Sequence, residues 1–129
     1  MARISREAAS QVESMDGFEG RYHQLDGYTV GFERYSLDED LALLFKGLPN
    51  DQCQCPHWGV VLKGTLVYRY ADEEDVITAG QAYYAQPGHT SRILAGTEVI
   101  EFSPTGQLRE TIDAIIRNLA NAACCAPSP

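Results

Sequence analysis

Short apolar or alternating segments recur along the chain between residues 28 and 102, and turn-forming residues separate them. Val, Ile, Thr and Tyr are frequent within these segments, which is typical of strands, whereas Gly, Pro and Asp are frequent in the intervals. The pattern predicts strands over 28–35, 60–62, 65–70, 76–78, 82–85, 91–94 and 98–102. Closely spaced short strands of this kind predict an all-β fold, namely a small antiparallel β-barrel or jelly roll.

Two further predictions concern the pairing of two strands and the structure of one segment between strands. Residues 65–70 follow 60–62 after Lys63 and Gly64, and they are expected to form a hairpin with them. Residues 37–45 mix acidic residues with leucines. They are compatible with a bent strand and with a helical turn.

The pattern changes after Pro104, where apolar residues recur at the spacing of one helix face. This stripe consists of Leu108, Ile112, Ile115, Ile116 and Leu119. It predicts a C-terminal amphipathic helix over residues 105–120, which follows the β-region in the chain.

The two ends of the chain are polar or rich in small residues. Residues 1–20 contain glycines and few apolar residues, which predicts a mobile N-terminal arm. Residues 121–129 contain Cys124, Cys125 and two prolines, and they are expected to form a disordered tail. The two thiols could capture a thiophilic ion, but nothing around them in the sequence orders the tail. The β-barrel domain is therefore expected over residues 21–104.

The size and charge of the chain limit the classes of function. Its 129 residues and mass of 14.2 kDa suffice for one domain with a hydrophobic core. The 18 acidic and 10 basic residues give a formal charge of −8, and no basic cluster is present, which argues against nucleic acid and anionic membranes as partners. No apolar run approaches the roughly 20 residues of a membrane span, and the N-terminus lacks the apolar centre of a secretory signal. We therefore expect a cytoplasmic protein with reduced thiols.

Side chains with metal-binding chemistry are concentrated in two segments. Cys53, Cys55 and His57 lie close together, and His89 follows a Pro-Gly turn further along the chain. Thiolate and imidazole together favour zinc or another borderline-soft divalent transition metal. The sequence therefore predicts a metal site with these four residues as candidate ligands, and zinc is the best match to them.

The first of these segments resembles the first motif of the cupin family. That motif has two histidines separated by one residue, a gap of three or four residues, a glutamate, six residues and a glycine. Gly64 matches the glycine, which places His57 at the glutamate position, Cys53 at the second histidine and Asp51 at the first. Cysteine and aspartate thus replace the paired histidines, and a histidine replaces the glutamate.

The second segment resembles the second cupin motif, which has a glycine, a short strand, a proline-containing turn and a histidine. Here the motif begins at Gly80, and the family's histidine position is Ser91. His89 lies two residues earlier, and side chains two apart on a strand share a face, so it is expected to point in the same direction. The resemblance covers residues 28–103 and implies a cupin barrel with a metal site inside it.

Some side chains have two interpretations. Cys55 points into the metal site or away from it, depending on the bend at Pro56. Asp51 is either a further ligand or part of an ordinary turn. Either Tyr83 or Tyr84 faces the interior, since neighbours in a strand alternate between the two faces.

Two functions from different classes remain open. With three protein ligands and one open coordination position, the protein would be a metal-dependent enzyme, of isomerase, lyase or hydrolase type, that acts on a small polar molecule inside the barrel. With four protein ligands, it would be a non-catalytic zinc-binding or ligand-sensing module. Arg34 and Arg69 are either anchors for a substrate carboxylate or exposed strand charges. Exposed strand edges and the amphipathic helix also predict a homodimer.

Overall fold

The computed structural model describes residues 2–124 of the chain. These residues form ten strands, one α-helix and two short 3-10 turns at Ala42–Phe45 and Pro49–Asp51. The helix, α1, covers Thr105–Cys124. The strands are β1 Gln11–Met15, β2 Phe18–Leu25, β3 Tyr28–Tyr35, β4 Glu39–Asp40, β5 His57–Lys63, β6 Thr65–Arg69, β7 Glu74–Thr78, β8 Ala82–Ala85, β9 Thr90–Ile93 and β10 Glu98–Pro104.

The strands form two antiparallel sheets that pack face to face. The six-stranded sheet has the order β1-β2-β3-β10-β5-β8, and the four-stranded sheet has the order β4-β9-β6-β7. The inward faces of both sheets contribute to one buried core, which contains Tyr35, Val61, Leu66, Tyr68, Ile77, Tyr83, Ala85, Ile93 and Val99. The structure thus confirms the predicted all-β jelly roll with a C-terminal helix.

Alternation along the strands determines which side chains enter this core. In β8, for example, Tyr83 and Ala85 are buried whereas Tyr84 is exposed. This answers one question that the sequence left open, because Tyr83 is the tyrosine that faces the interior.

Gly64 marks the point where the chain crosses from the six-stranded to the four-stranded sheet. Its φ of 81° lies in the left-handed region, and a Cβ there would lie 2.4 Å from the Thr97 hydroxyl oxygen. β5 on one side of Gly64 pairs with β8 and β10, whereas β6 on the other side pairs with β7 and β9. The predicted hairpin between residues 60–62 and 65–70 is therefore wrong, because the two strands belong to different sheets.

The N-terminal segment also differs from the expectation. In place of a mobile arm over residues 1–20, β1 and β2 form a hairpin, and β2 pairs with β3 along its whole length. All five residues of β1 are exposed. Its formation therefore depends on backbone hydrogen bonds at the sheet edge, which produce little hydrophobic patterning in the sequence. The β-region accordingly begins at residue 11 rather than residue 21.

The helix begins at the predicted position but extends beyond residue 120. Residues 121–124, which were expected to be disordered, belong to α1. The rest of the predicted tail, residues 125–129 with Cys125, lies outside the described residues. No helix in the described part of the chain is long and apolar enough to cross a membrane.

Helix α1 packs against one end of the jelly roll, beside the segment 37–45. That segment contains both β4 and a 3-10 turn, so each of its two interpretations is correct for part of it. The Asn118 side-chain amide donates hydrogen bonds to the carbonyl oxygens of Leu44 at 2.7 Å and Lys46 at 2.9 Å. Leu108 and Ile115 of the helix pack on the buried Phe45. These contacts fix the helix over the end of the fold that holds the candidate metal site.

Candidate metal centre

Backbone hydrogen bonds bring the two segments of candidate ligands together. The amide of Cys53 donates to the carbonyl of His89 at 2.8 Å, and the amide of Gly88 donates to the carbonyl of Cys53 at 2.8 Å. Gly88 has a φ of 91°, a conformation that favours glycine over other residues. Cys53 and His89 therefore lie side by side in an isolated β-bridge, although they are distant in sequence.

Hydrogen bonds on one nitrogen of each ring fix the orientation of the two histidines. His89 Nδ1 lies 2.7 Å from the carbonyl oxygen of Gln86. Because a carbonyl only accepts, Nδ1 carries the proton and Nε2 has a free lone pair in the neutral ring. His57, the first residue of β5, has its Nδ1 2.7 Å from the Ser103 hydroxyl, and its Nε2 faces the Cys53 sulfur at 3.6 Å. In both rings Nε2 is thus the nitrogen left free to bind a metal, and that of His57 is directed at Cys53.

The result is a compact group of one thiol and two imidazoles. One ligand atom from each of Cys53, His57 and His89 lies within 4.8 Å of the other two, and all three side chains are buried. Ligands at 2.0–2.3 Å from a tetrahedral zinc ion are separated by roughly 3.5 Å. The 3.6 Å between Cys53 Sγ and His57 Nε2 matches this separation.

The other two candidates are not part of this group. Cys55 is buried, and its thiol donates to the carbonyl of Pro56 at 3.4 Å. Its sulfur is not one of the ligand atoms that lie within 4.8 Å of each other. Asp51 is exposed, and its Oδ1 accepts a hydrogen bond from the amide of Gly47 at 2.9 Å, which agrees with the turn interpretation.

The neighbouring groups favour a thiolate at Cys53. Burial alone would raise the pKa of Cys53, but hydrogen bonds from His57 and His89 outweigh it and lower the pKa to about 6. Burial likewise opposes the charged form of His57, whereas the Glu101 carboxylate and the two thiols together raise its pKa well above the usual value. The site therefore holds the sulfur in the form that binds metals.

Among the residues that contact the site and were missed by the sequence analysis, two carry hydroxyls. Ser103 of β10 lies against His57, and the Thr111 hydroxyl of α1 lies 3.2 Å from Cys53 Sγ. Serine and threonine occur in this way throughout protein sequences. Only the packing of β10 and α1 around the site identifies these two residues.

A row of residues across the six-stranded sheet forms the wall next to the metal centre. Reading across strands β2, β3, β10, β5 and β8, the register places Tyr22, Gly31, Glu101, Gly59 and Tyr83 opposite one another. A Cβ at Gly31 would lie 2.9 Å from the Tyr22 ring, and one at Gly59 would lie 2.6 Å from the Tyr83 hydroxyl. The two glycines therefore provide the space that the two tyrosine side chains occupy.

Tyrosine hydroxyls hold two interior carboxylates in this wall. Tyr83 donates to Glu101 Oε1 at 2.7 Å, and Tyr68, from the opposite sheet, donates to the same oxygen. Tyr22 donates to Glu33 Oε2 at 2.6 Å. Burial and the nearby Glu101 carboxylate raise the pKa of Glu33 to about 7, although the Tyr22 hydroxyl opposes this shift. The Glu101 Oε2 atom lies 3.8 Å from His57 Nδ1, which links the carboxylates to the candidate ligands.

A cavity of about 130 Å³ lies between the ligand group and this wall. Its lining includes the candidate ligands Cys53, His57 and His89 and the carboxylates of Glu33 and Glu101. Residues of α1 contribute further apolar lining. The cavity thus joins metal-binding chemistry and acid–base chemistry in one space.

No lysine or arginine lines the cavity within the described residues. Arg34 pairs with Glu98 at 2.5 Å, and Arg69 pairs with Asp40 at 3.4 Å and Glu74 at 3.5 Å, outside the cavity. The two arginines are therefore strand charges near the surface and do not reach a molecule in the cavity.

Comparisons of the sequence with known proteins give no family. No family model matches the chain, and no curated protein matches it. Comparisons of the fold do give matches. A structural-genomics protein of unknown function from Rhizobium leguminosarum aligns with a TM-score of 0.58 and 18% identity over 80% of this chain and 94% of that one. An RmlC-like cupin from Shewanella frigidimarina aligns with a TM-score of 0.53 and 12% identity over 81% of this chain and 92% of that one.

A third structure, a putative ethanolamine utilization protein EutQ from Salmonella typhimurium, aligns with a TM-score of 0.51 and 13% identity over 71% of this chain and 76% of that one. At these identities the likeness concerns the fold alone. The chain has the cupin fold, which confirms the fold implied by the two motifs. Its function has to be argued from its own residues.

Proposed function

We propose that the protein binds one divalent transition metal, best matched by zinc, through Cys53, His57 and His89. The observation that carries this proposal is the convergence of one sulfur and two imidazole nitrogens within 4.8 Å of each other, in buried side chains. A thiolate and two imidazoles are a donor set that zinc accepts, and metal binding would displace the proton that the raised pKa of His57 retains in the metal-free site. Gln86 and Ser103 contact Nδ1 of His89 and His57, the nitrogens that do not face the proposed metal. Metal-binding histidines usually have such a hydrogen bond, which orients the ring.

We further propose that the site is catalytic. Three protein ligands leave one position of a tetrahedral ion for a substrate or water, and a cavity of about 130 Å³ adjoins them. A metal bound there would supply Lewis acidity, polarising a carbonyl group or lowering the pKa of water. The reaction classes that match are isomerase, lyase and hydrolase reactions on a small polar molecule. A reducing compartment keeps the thiols available, so we place the protein in the cytoplasm.

The chain's own acid–base groups support this choice. Glu101 Oε2 is close enough to His57 Nδ1 to exchange a proton with it through a small rearrangement, at 3.8 Å. Tyr68 and Tyr83 hold the other oxygen of Glu101, which fixes the carboxylate in place. Glu33, whose pKa is raised to about 7, changes its charge near neutral pH, as general acids and bases do.

The alternative is a non-catalytic zinc-binding or ligand-sensing module. It requires a fourth protein ligand, and Cys55 is the buried thiol that lies nearest in sequence to the other ligands. Since the Cys55 thiol donates to Pro56, the side chain would have to turn for this role. The behaviour of a Cys55 variant distinguishes the two functions.

Metal analysis of the purified full-length protein tests the proposal. We expect about one zinc or similar ion per chain, and a His57→Ala, His89→Ala double variant that binds none. His23→Ala is the matched control, because His23 lies on β2 and its ring contacts Ser10, away from the cavity. Full occupancy in the double variant would contradict the site. Cys55→Ser should keep its metal if the site is open and lose it if the site is closed.

A further inference from the structure

The carboxylates of Glu33 and Glu101 are not metal ligands in the proposed site, yet both line the cavity beside it. They project from neighbouring strands on the inner face of the sheet, where Glu33 lies opposite Val99 and Glu101 lies opposite Gly31. Residues in such diagonal positions are about 7–8 Å apart. Two acidic side chains thus face one small space.

Each carboxylate retains hydrogen-bonding capacity that the protein does not use. The hydroxyls of Tyr68 and Tyr83 both donate to Oε1 of Glu101, and the Tyr22 hydroxyl donates to Oε2 of Glu33. Among residues 2–124, no hydrogen-bond donor contacts Oε1 of Glu33. Since one carboxylate accepts about four hydrogen bonds, both groups have room for a donor from a bound molecule.

Two hydroxyls of largely buried residues add hydrogen-bonding capacity to the cavity wall, independently of the carboxylates. Tyr35 and Ser91 are only 9% and 6% exposed, and both line the cavity. Neither hydroxyl has a hydrogen-bond partner in the described part of the chain. Because both hydroxyls are accessible from the cavity, each can form a hydrogen bond with a molecule or water held there.

Outside the metal site the lining is acidic, and Glu33 contributes its charge above about pH 7. The lining contains two carboxylates and no lysine or arginine, and the rings of Tyr22, Tyr35 and Tyr68 add aromatic surface. Aromatic rings attract cations that lie over their faces. An anionic molecule would meet the two carboxylates with no basic side chain to balance them, apart from the histidines of the metal site.

The volume limits the size of the molecule. A cavity of about 150 Å³ in another protein accommodates benzene, which has six non-hydrogen atoms. The cavity here measures about 130 Å³. We propose that it binds a small organic cation, an amidinium or ammonium compound of up to about six non-hydrogen atoms, through Glu33 and Glu101.

This inference deepens the proposed function, because it names the substrate class of the same site. Its catalytic meaning rests on that function, whereas binding of the cation requires only the two carboxylates. The two proposals can therefore fail separately.

Three small molecules of similar shape but different charge test the inference on the unaltered protein. Acetamidinium, acetamide and acetate have nearly the same shape and carry charges of +1, 0 and −1. Each is titrated calorimetrically at pH 8, above the pKa of Glu33, into the full-length protein, once loaded with zinc and once treated with a chelator. Hydrogen bonds to a charged group contribute about 1.5–3 kcal/mol, so acetamidinium should bind at least about tenfold more tightly than acetamide. Acetate should show no saturable binding to the chelated protein.

Neutral variants of the two carboxylates complete the test. Glu101→Gln and Glu33→Gln keep the shape of the side chain, and each should weaken acetamidinium binding at least about tenfold. Glu98→Gln is the matched control, because Glu98 lies on the same strand as Glu101 but pairs with Arg34 and Lys63 outside the cavity. It should bind acetamidinium as the unaltered protein does. Thermal unfolding of each variant verifies that it is folded.

The outcomes separate the two proposals. Equal binding of acetamidinium and acetamide, absence of saturable acetamidinium binding, or full binding by Glu101→Gln would overturn the cation site. Acetamidinium binding to a protein that takes up no metal would support the cation site and refute the metal-dependent function. Metal uptake without acetamidinium binding would support the metal site and overturn the cation site.

Discussion

Glu33 shows how the interior of the fold changes the chemistry of a single residue. Its side chain lies on the inner face of β3, where burial and the neighbouring Glu101 carboxylate both disfavour its negative charge, so that its pKa rises from 4.5 to about 7. A glutamate on the surface, with a pKa near 4.5, is almost fully ionised well below neutral pH. In the cavity, the same residue changes from neutral to charged near neutral pH.

This shift predicts a pH-dependent difference in stability between the protein and its Glu33→Gln variant. Between pH 4.5 and 7 the folded state holds a proton on Glu33 that the unfolded chain has lost, so stability falls as pH rises through this range. The stabilisation is fully present below pH 4.5 and is lost near pH 7. Glutamine still accepts from Tyr22 but does not ionise. We therefore compare the free energy of unfolding of the variant with that of the unaltered protein at two pH values. The difference between them should be more favourable to the variant at pH 8 than at pH 4.5, by up to about 3 kcal/mol.

Urea unfolding of the chelator-treated proteins at several pH values measures this difference. Glu110→Gln is the control, because Glu110 is exposed on α1, and its stability curve should run parallel to that of the unaltered protein. A parallel curve for Glu33→Gln would show that Glu33 is ionised in the folded state throughout and would contradict the prediction.

At the candidate metal site, residue chemistry could be predicted from the sequence but residue position could not. The mixture of thiols and imidazoles indicated Cys53, His57 and His89, and the structure brings these three together. Cys55 satisfied the same chemical argument. Its thiol donates to Pro56 and also lies near enough to His57 to raise the pKa of that ring, so the backbone bridge between Cys53 and His89, rather than residue type, places Cys53 beside both rings.

At the level of strands, two glycines make the carboxylate wall possible. Gly31 and Gly59 lie on either side of Glu101 in the register of the six-stranded sheet. Glycine weakens a strand, so it is expected there only where another group needs the space. Here the rings of Tyr22 and Tyr83 cover the glycines, and the Tyr83 hydroxyl reaches Glu101 across Gly59.

Gly59→Ala should therefore be strongly destabilising. The added Cβ would lie 2.6 Å from the backbone oxygen of Ile100 and 2.6 Å from the Tyr83 hydroxyl. Since the backbone of β10 cannot give way easily, we expect a loss of roughly 1–3 kcal/mol in the free energy of unfolding, which is typical of overpacking. Chemical denaturation measures it.

Gly106→Ala is the matched control for this substitution. Gly106 lies in α1, and a Cβ there would meet nothing within 4 Å. Alanine should be neutral or stabilising by up to about 1 kcal/mol at this position, because it is the better helix former. Equal effects of the two substitutions would contradict the role assigned to Gly59.

The strands differ in how far the sequence could predict them, and the difference has a physical cause. In β8 the buried Tyr83 and Ala85 alternate with exposed residues, and this pattern is visible in the sequence. β1 is exposed at every position, so its pairing with β2 depends on backbone groups that every residue possesses. The division between β5 and β6 depends on the turn at Gly64, which a local pattern cannot distinguish from a hairpin.

At the scale of the whole molecule, the jelly roll and α1 together enclose the site. The two sheets supply the ligands and the carboxylates, and α1 packs over the end where Thr111 contacts Cys53. The helix cannot bury all of its apolar residues in this way, since Ile112, Ile116 and Leu119 remain 38%, 60% and 37% exposed. The edge strand β1 is also uncovered, with Val12 and Met15 both 51% exposed.

These exposed features lead us to predict a homodimer. Unpaired strand edges and exposed apolar residues are commonly covered by self-association, and most soluble homo-oligomers are symmetric dimers. Light scattering coupled to size-exclusion chromatography at micromolar concentrations should give twice the chain mass of 14.2 kDa. Because a dimer dissociates by mass action, serial dilution should shift the measured mass toward that of one chain. A mass of one chain at every concentration, including the highest, would show that these surfaces remain exposed to solvent and would exclude the dimer.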